Sequence, residues 1–511
     1  PIIEQLEQKE FAEHIPVNEF LGDSNTLEDT STSRRDFLKY VGFSTAAATL
    51  AACEGPVIKS VPYVVQPEQI RPGIANYYAT AIADGFDFGS VLIKTREGRP
   101  IKVENSSDAP VLGGANARVH ASVLSLYDVK RLQGPKANGS DISWEDLNLQ
   151  VGAKLKALAA TGKEVVLLTQ TFASPTTSKI VADFIAAYPN VKHVTYDSVS
   201  QSKALDAFED SFGVRALADY DFSKADAIVS VGADILGDWQ GGGFDVGYSK
   251  KRVPQKRDGQ GYMSQHFQFE SNMTLSGASA DFRIPSTPSQ QKNILAHLYA
   301  AITGTIISGS LEAGMKTKLD KAIMALRSAG SKAVVVSGIQ EVGAQKIVLA
   351  INHFLQSEVM NVNSPRLIRQ GNDSEVSTVI EAVKNGTLGG LITAGINPVL
   401  TLANGKAFAE GIKKLDLSVA FSSKEDETAL ASQYIAAVPH YLEAWGDYEF
   451  KAGSFALAQP TIRPLFDTKQ FQDLLLAWSG SSDSYYEAIQ SNWYLSVIGL
   501  SSWNTVLHDG F

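Results

Sequence analysis

Ala225-Asp226-Ala227-Ile228-Val229-Ser230-Val231-Gly232-Ala233-Asp234 is the stretch on which the fold turns. From Ala227 to Val231 the run is β-prone and apolar on both alternating faces, and Gly232 ends it. A strand of that kind cannot leave one face in water. It predicts a parallel sheet covered on both sides by helices. The surroundings repeat the pattern. Upstream, Val165-Val166-Leu167-Leu168 is a buried strand, and Ile180, Val181, Phe184, Ile185 and Tyr188 follow on one helical face. His193-Val194-Thr195-Tyr196 is the next strand, and Leu205, Phe208 and Phe212 share the next helical face. Downstream, Ala333-Val334-Val335-Val336 leads to Gly338 and a helix through Ile347, Leu349 and Ile351. Leu391-Ile392-Thr393-Ala394 leads to Gly395, Asn397 and Pro398. The expectation is an α/β protein with two parallel-sheet lobes, residues 141–330 and 331–511, with the glycine-rich, basic stretch Gly241 to Gly261 between the two sets of strands.

Ahead of the lobes, Pro56, Pro62, Pro67 and Pro72 predict an extended linker. Val91 to Thr95 and Ile101 to Glu104, with Glu97-Gly98-Arg99 between them, predict a hairpin. Residues 57–140 therefore form a small β-rich domain. With 44% hydrophobic and 20% charged residues the chain is globular. A net charge of −10 argues against nucleic acid as a partner. No apolar run is long enough to cross a bilayer as a helix. One cysteine in 511 residues, Cys53, excludes a disulfide within the chain and a four-thiolate iron–sulfur cluster.

Ser33-Arg34-Arg35-Asp36-Phe37-Leu38-Lys39 matches the twin-arginine export pattern, and a weakly apolar stretch of small residues follows it to Ala52. Arg34, Arg35, Phe37 and Leu38 are its signal residues, and residues 1–56 read as an export leader retained as a docking arm. Leu50-Ala51-Ala52-Cys53 also resembles a lipobox, which makes Cys53 a candidate lipidation site.

Gly232 and the Gly395-Ile396-Asn397-Pro398 turn sit where doubly wound sheets bind ligands, but neither belongs to a full phosphate-binding glycine motif, so ordinary tight turns are the favoured reading. Lys250, Lys251, Arg252, Lys256 and Arg257 cluster within an acidic chain and read as a solvated loop rather than a docking patch. His440 with Glu443, and His508 with Asp509, are too few for a zinc centre, which needs three or four convergent ligands. No nucleophile elbow supports hydrolase chemistry.

From about Tyr77 to Phe511 the order of blocks resembles the molybdopterin oxidoreductase family, with its DMSO reductase-like fold. The blocks are Gly89 to Pro110, Ser143-Trp144-Glu145-Asp146-Leu147, Ala225 to Asp234, Leu275 to Asp281, Asn397-Pro398, Asp426-Glu427-Thr428-Ala429 and His440 to Asp447. The resemblance places cluster-binding cysteines around Ala79–Gly89 and Gly113–Val119, and neither stretch has one. It also places a pterin-capping barrel beyond Phe511. The combination is similar to the large peripheral subunit of alternative complex III, a bacterial quinol oxidoreductase, in which a cofactor-free molybdopterin-like half precedes a ferredoxin-like half.

That resemblance implies a structural module on the periplasmic face of the inner membrane, with no catalytic, cofactor-binding or metal-binding residue in this chain. Iron–sulfur clusters and haem c would belong to other parts of the complex. The implied partners are a membrane quinol-oxidising subunit, c-type haem subunits, the iron–sulfur ferredoxin-like half and a terminal oxidase. Two alternatives stand beside it: an active molybdenum bis-pterin oxidoreductase with a Ser or Asp metal ligand, and an acylated periplasmic ligand-binding lipoprotein.

Overall fold

Five apolar strands form the centre of a seven-stranded sheet. In spatial order they are Tyr434–Ala437, Leu417–Ser422, Gly390–Ala394, Val165–Thr169 and Val191–Thr195, all parallel. A short hairpin, Lys136–Ala137 with Ser140–Asp141, extends the Tyr434 edge antiparallel. A computed structural model describes residues 73–107, 109, 115–257, 260–499 and 501–511. Arg34, Arg35, Phe37, Leu38 and Cys53 lie outside the described residues.

The two-sided burial read from the apolar runs is what the sheet requires. Val165 and Leu167 pack into one layer with Leu155, Phe184 and Leu475, while Val166 and Leu168 pack into the opposite layer with Val383 and Phe408. The second parallel sheet has four strands, in the order Phe282–Pro285, Gln265–Glu270, Ala227–Val231 and Ala333–Ser337. Its alternate residues also serve two cores. Val229 and Val335 face Leu298 and Leu326, and Ile228 and Val334 face Tyr220, Trp239 and Phe244.

The lobes interleave along the chain, which corrects the expected division at 330/331. Ala333–Ser337 pairs with Ala227–Val231, and Val165–Thr169 pairs with Gly390–Ala394. The physical reason is that an apolar run specifies a buried parallel strand without naming its neighbour. The crossover connection decides the pairing, and its length is free. A four-stranded antiparallel sheet, Ser454–Ala458, Gly446–Lys451, Met360–Arg366 and Leu217–Tyr220, draws on segments that lead into both lobes.

The small β domain is a three-stranded antiparallel meander, Ala75–Ala83, Phe88–Arg96 and Arg99–Asn105. The expected hairpin is its second and third strands, turned at Glu97-Gly98 with both φ angles positive. The first strand escaped the sequence reading.

At the end of the second sheet two turns touch. A Cβ on Gly338 would collide with the carbonyl oxygen of Gly232, and backbone cannot swing aside as a side chain can. Gly338→Ala is therefore expected to cost about 1–3 kcal/mol through overpacking. Gly343→Ala, in the helix Val342–Phe354 with open space around its Cβ, should be neutral or stabilising. Thermal midpoints of the two variants make the check; equal midpoints would contradict it.

Candidate functional site

The C-terminal ends of Val165–Thr169, Gly390–Ala394, Leu417–Ser422 and Tyr434–Ala437 open onto a cavity of about 520 Å³. This is where parallel sheets present ligand sites, because the strand ends diverge there and short loops carry polar groups. Gln170, Asn397, Asp426 and His440 reach it from those strands, and Asp84 reaches it from the loop after Ala75–Ala83. Phe172, Tyr441, Trp445 and Tyr448 supply aromatic walls. Among the described residues lining it there is no lysine or arginine. A smaller space of about 100 Å³, lined by Asp84, Gln170, Tyr196 and Asp197, adjoins it and also has no lysine or arginine.

Several backbone amides next to the lining residues are occupied by the protein's own carboxylates. Ser174 caps the helix Pro175–Ala187. Asp447, fully buried, takes Thr176 N at 3.3 Å on the same helix, with Ser174 Oγ at 2.6 Å, Thr176 Oγ1 at 2.5 Å and Trp493 Nε1 at 3.0 Å. Asp426 accepts from Thr428 N and Ala429 N and holds Ser422 Oγ at 2.7 Å. Asp197 accepts from Thr171 N, Gln370 N and Gly371 N, and from Thr171 Oγ1 at 2.7 Å. Helix N-termini and loop amides are natural phosphate sites. Here carboxylates fill the amides of Thr171, Thr176, Gln370, Gly371, Thr428 and Ala429.

Asn397 is structural as well. Its Nδ2 donates to Glu427 at 2.7 Å and its Oδ1 accepts from Thr428 Oγ1 at 2.7 Å, which docks two of the family-like blocks onto each other. Gly395 has φ +69°, and the Gln170 side chain lies where a Cβ would stand. In the orientation its neighbours require, the Gln170 amide donates to the carbonyls of Asp84 at 2.6 Å and Gly395 at 2.8 Å.

Asp84 is exposed to solvent at the cavity. Burial, helped by the charge of Asp87, pushes its carboxyl up, although Oδ1 accepts from Asp87 N at 2.8 Å and Phe86 N at 3.2 Å. Oδ2 accepts no hydrogen bond from the described residues.

The two stretches expected to carry cluster thiolates do come together. Asp87, from the first, accepts from Asn116 Nδ2 at 2.6 Å and from Arg118 at 2.7 and 2.8 Å, from the second. Arg118 continues to Asp238 at 2.7 Å and lies over the Phe86 ring. A lattice of ion pairs and hydrogen bonds joins them.

His440 and Glu443 form a capping box on the turn Tyr441–Glu443. His440 Nδ1 accepts from Leu442 N at 3.2 Å, so its proton sits on Nε2, beside Ser122 O and Ser125 Oγ. Glu443 is buried against Arg131, with Oε2 at 2.5 Å from the guanidinium. Burial pushes its carboxyl up, but Arg131 and the amides of His440 and Leu465 outweigh that and hold it below the usual value. His508 and Asp509 form an exposed pair at 2.8 Å. Among the described residues no three His, Cys, Asp or Glu converge on a point. In the basic cluster, Lys251 pairs with Asp226 at 3.2 Å and Arg252 with Asp281 at 2.6 Å, while the side chains of Lys256 and Arg257 lie outside the described residues.

Burial holds His193, His266 and His440 down to about 4. A free histidine titrates near ~6.5, so the unfolded chain binds more protons in between. Stability is therefore full above pH ~6.5 and declines as pH falls towards 4. The thermal midpoint should be lower at pH 5 than at pH 7; an unchanged midpoint would contradict this assignment.

Sequence reasoning missed Asp84, Asp197 and Arg131. Nothing in their local sequence marks them, because each acts on a partner from a distant segment. Asp447 stood inside a quoted block, but only its tertiary neighbours show that it is a buried hub.

No family model matches the chain. It is 25% identical over 503 residues to the protein named menaquinone reductase, molybdopterin-binding-like subunit, of Nitratidesulfovibrio vulgaris, covering 88% of this chain and 72% of that one. Among solved structures it is similar to the acetylene hydratase of Pelobacter acetylenicus, with a TM-score of 0.61 at 11% identity, covering 84% of this chain and 73% of that one. That neighbour has the DMSO reductase-family fold of molybdopterin enzymes. The interleaved parallel lobes agree with these likenesses: the chain has a fold like that of the molybdopterin oxidoreductases.

Proposed function

We propose that this chain is a cofactor-free structural module of a respiratory quinol oxidoreductase of the alternative complex III type, held on the periplasmic face of the membrane. The observation that carries the reading is the chemistry of the two places a redox enzyme of this fold would use. At the cluster position the donors are Asp87, Asn116, Arg118 and Asp238, mutually satisfied, with no thiolate to hold iron. At the strand ends the described residues lining the cavity include no lysine or arginine to meet a pterin's phosphates, and they bring two carboxylates, Asp84 and Asp426. The residues present therefore do not fit either group. An active molybdenum enzyme with a Ser or Asp ligand would have to bind its cofactor against this charge. The relative named as a menaquinone reductase subunit supports membership of a quinone-linked complex. No helix among the described residues is long and apolar enough to cross a membrane, which is consistent with a peripheral position.

In this role the chain works by its surfaces. It holds the iron–sulfur ferredoxin-like half, the c-type haem subunits and the quinol-oxidising membrane subunit in register, for delivery to a soluble acceptor or terminal oxidase. Each stable contact would bury on the order of 1,000 Å² or more. Purification from detergent-solubilised membranes, with haem staining and metal analysis by mass spectrometry, is the test. The expected result is co-purification with haem c and iron–sulfur subunits and no molybdenum or tungsten assigned to this chain. Stoichiometric molybdenum or tungsten, or isolation as a free acylated monomer, would overturn the reading.

A further inference from the structure

We propose that the strand-end cavity is a binding site for a small organic cation, alkylammonium or heteroaromatic, that rejects molecules carrying phosphate. The inference rests on the preceding reading in one respect: the cavity must be free of a resident cofactor. Its volume of about 520 Å³ falls in the range of small-molecule sites, roughly 300–1,000 Å³.

The walls set the ligand's chemistry. Phe172, Tyr441, Trp445 and Tyr448 bring four aromatic rings to one space, and the faces of such rings attract cations. Burial raises the Tyr441 phenol to about 12, so the ring stays uncharged. His440 also lines the space, but it is neutral and its hydrogen bonds are committed to Leu442, Ser122 and Ser125.

The charge sets the sign. Among the described residues the lining carries two carboxylates, Asp84 and Asp426, and no lysine or arginine. Asp426 is spent on Thr428, Ala429 and Ser422. Asp84 keeps Oδ2 without a hydrogen-bond partner among the described residues. Arg369, whose charge acts on Asp84, is turned to the carbonyls of Ile368 and Phe86 and does not line the cavity. A cation beside Asp84 would relieve the push that burial and Asp87 exert on that carboxyl. A phosphate would meet two carboxylates and, among the described lining residues, no lysine or arginine.

Thiamine and thiamine diphosphate test this directly, since they share one cationic ring system and differ in the phosphates. With the intact protein and its subunits, titration calorimetry at pH 7 should show saturable thiamine binding at one per chain, displaced by choline. Thiamine diphosphate should bind at least about tenfold more weakly, a difference of ~1.4 kcal/mol. Asp84→Asn and Trp445→Leu should each weaken thiamine about fivefold or more, with folding checked by thermal midpoint. If either variant fails to fold, the thiamine pair on the wild-type protein still decides. Equal or tighter binding of the diphosphate, no binding of thiamine, or full affinity in folded Asp84→Asn would each overturn the proposal. Pterin and molybdenum analysis of the same preparation separates the two readings. A bound pterin sinks the cofactor-free assignment, whereas a pterin-free protein that ignores thiamine sinks this inference alone.

Discussion

Glu443→Gln is expected to cost about 3–5 kcal/mol, because it leaves the Arg131 guanidinium as a buried charge without its counter-ion. Both side chains are almost fully enclosed, at 2% and 0% exposure. Each carboxylate oxygen serves two donors. One takes Arg131 and the amide of His440 at 2.9 Å; the other takes Arg131 and the amide of Leu465 at 3.0 Å. Glutamine would turn an NH2 group onto one of these donor pairs whichever way it faced. Arg131 cannot escape the loss: it also donates to Leu126 O at 3.0 Å and lies over the Phe466 ring. The double variant Arg131→Leu with Glu443→Leu removes both charges and should lose less than the single one. Denaturant unfolding of the three proteins checks this. A single variant as stable as wild type, or a double variant that is the least stable, would contradict it. The sign with pH follows from the depressed carboxyl. The pair's contribution is present above the unfolded carboxylate value near ~4.3 and disappears as pH falls through the lower folded value.

Asp447→Asn should also be damaging, about 1–3 kcal/mol, for a related reason. Every neighbour of this buried carboxylate is a donor: Ser174 Oγ, Thr176 N and Oγ1, Trp493 Nε1 and, at 3.4 Å, Tyr485 OH. Thr176 N and Trp493 Nε1 can only donate and hold the asparagine oxygen to their side, so its NH2 displaces the hydroxyl protons of Ser174 and Tyr485, and each buried group left unsatisfied costs ~1–3 kcal/mol. The hub joins the helix Pro175–Ala187, the strand Gly446–Lys451 and the helix Tyr485–Ser496. Ser174, Thr177 and Tyr485 are also part of the cavity wall, so its loss should loosen that side of the site. Burial and the charge of Asp447 push the Tyr485 phenol well above its ordinary value, and Asp447→Asn should bring it down. Thermal unfolding and ultraviolet titration of the tyrosines read the two effects. A midpoint within a degree of wild type would rule out the hub.

The strands were legible because their chemistry is local. Ala227–Val231 was read to the residue, since a continuous apolar run bounded by glycine has one comfortable environment. Helical faces followed from spacing, as with Ile180, Val181 and Phe184 on Pro175–Ala187; Phe212, at 41% exposed, was the position where that spacing overshot the core. The antiparallel strands Gly446–Lys451 and Ser454–Ala458 were not legible, because Gly446, Asp447 and Glu449 look unlike a strand until their partners are present.

The amino-acid order alone determined the α/β class, the family likeness and the lack of thiolates where a cluster would need them, since all three depend on residue type and short-range periodicity. Only the tertiary structure decided how the lobes interleave, that Asp87 meets Arg118, and that Asp197, Asp426 and Asp447 occupy the amides at the strand ends. Those pairings join residues far apart in the chain. What selects them is the cost of leaving a buried charge or amide unsatisfied, a quantity that exists only once the core has closed around it.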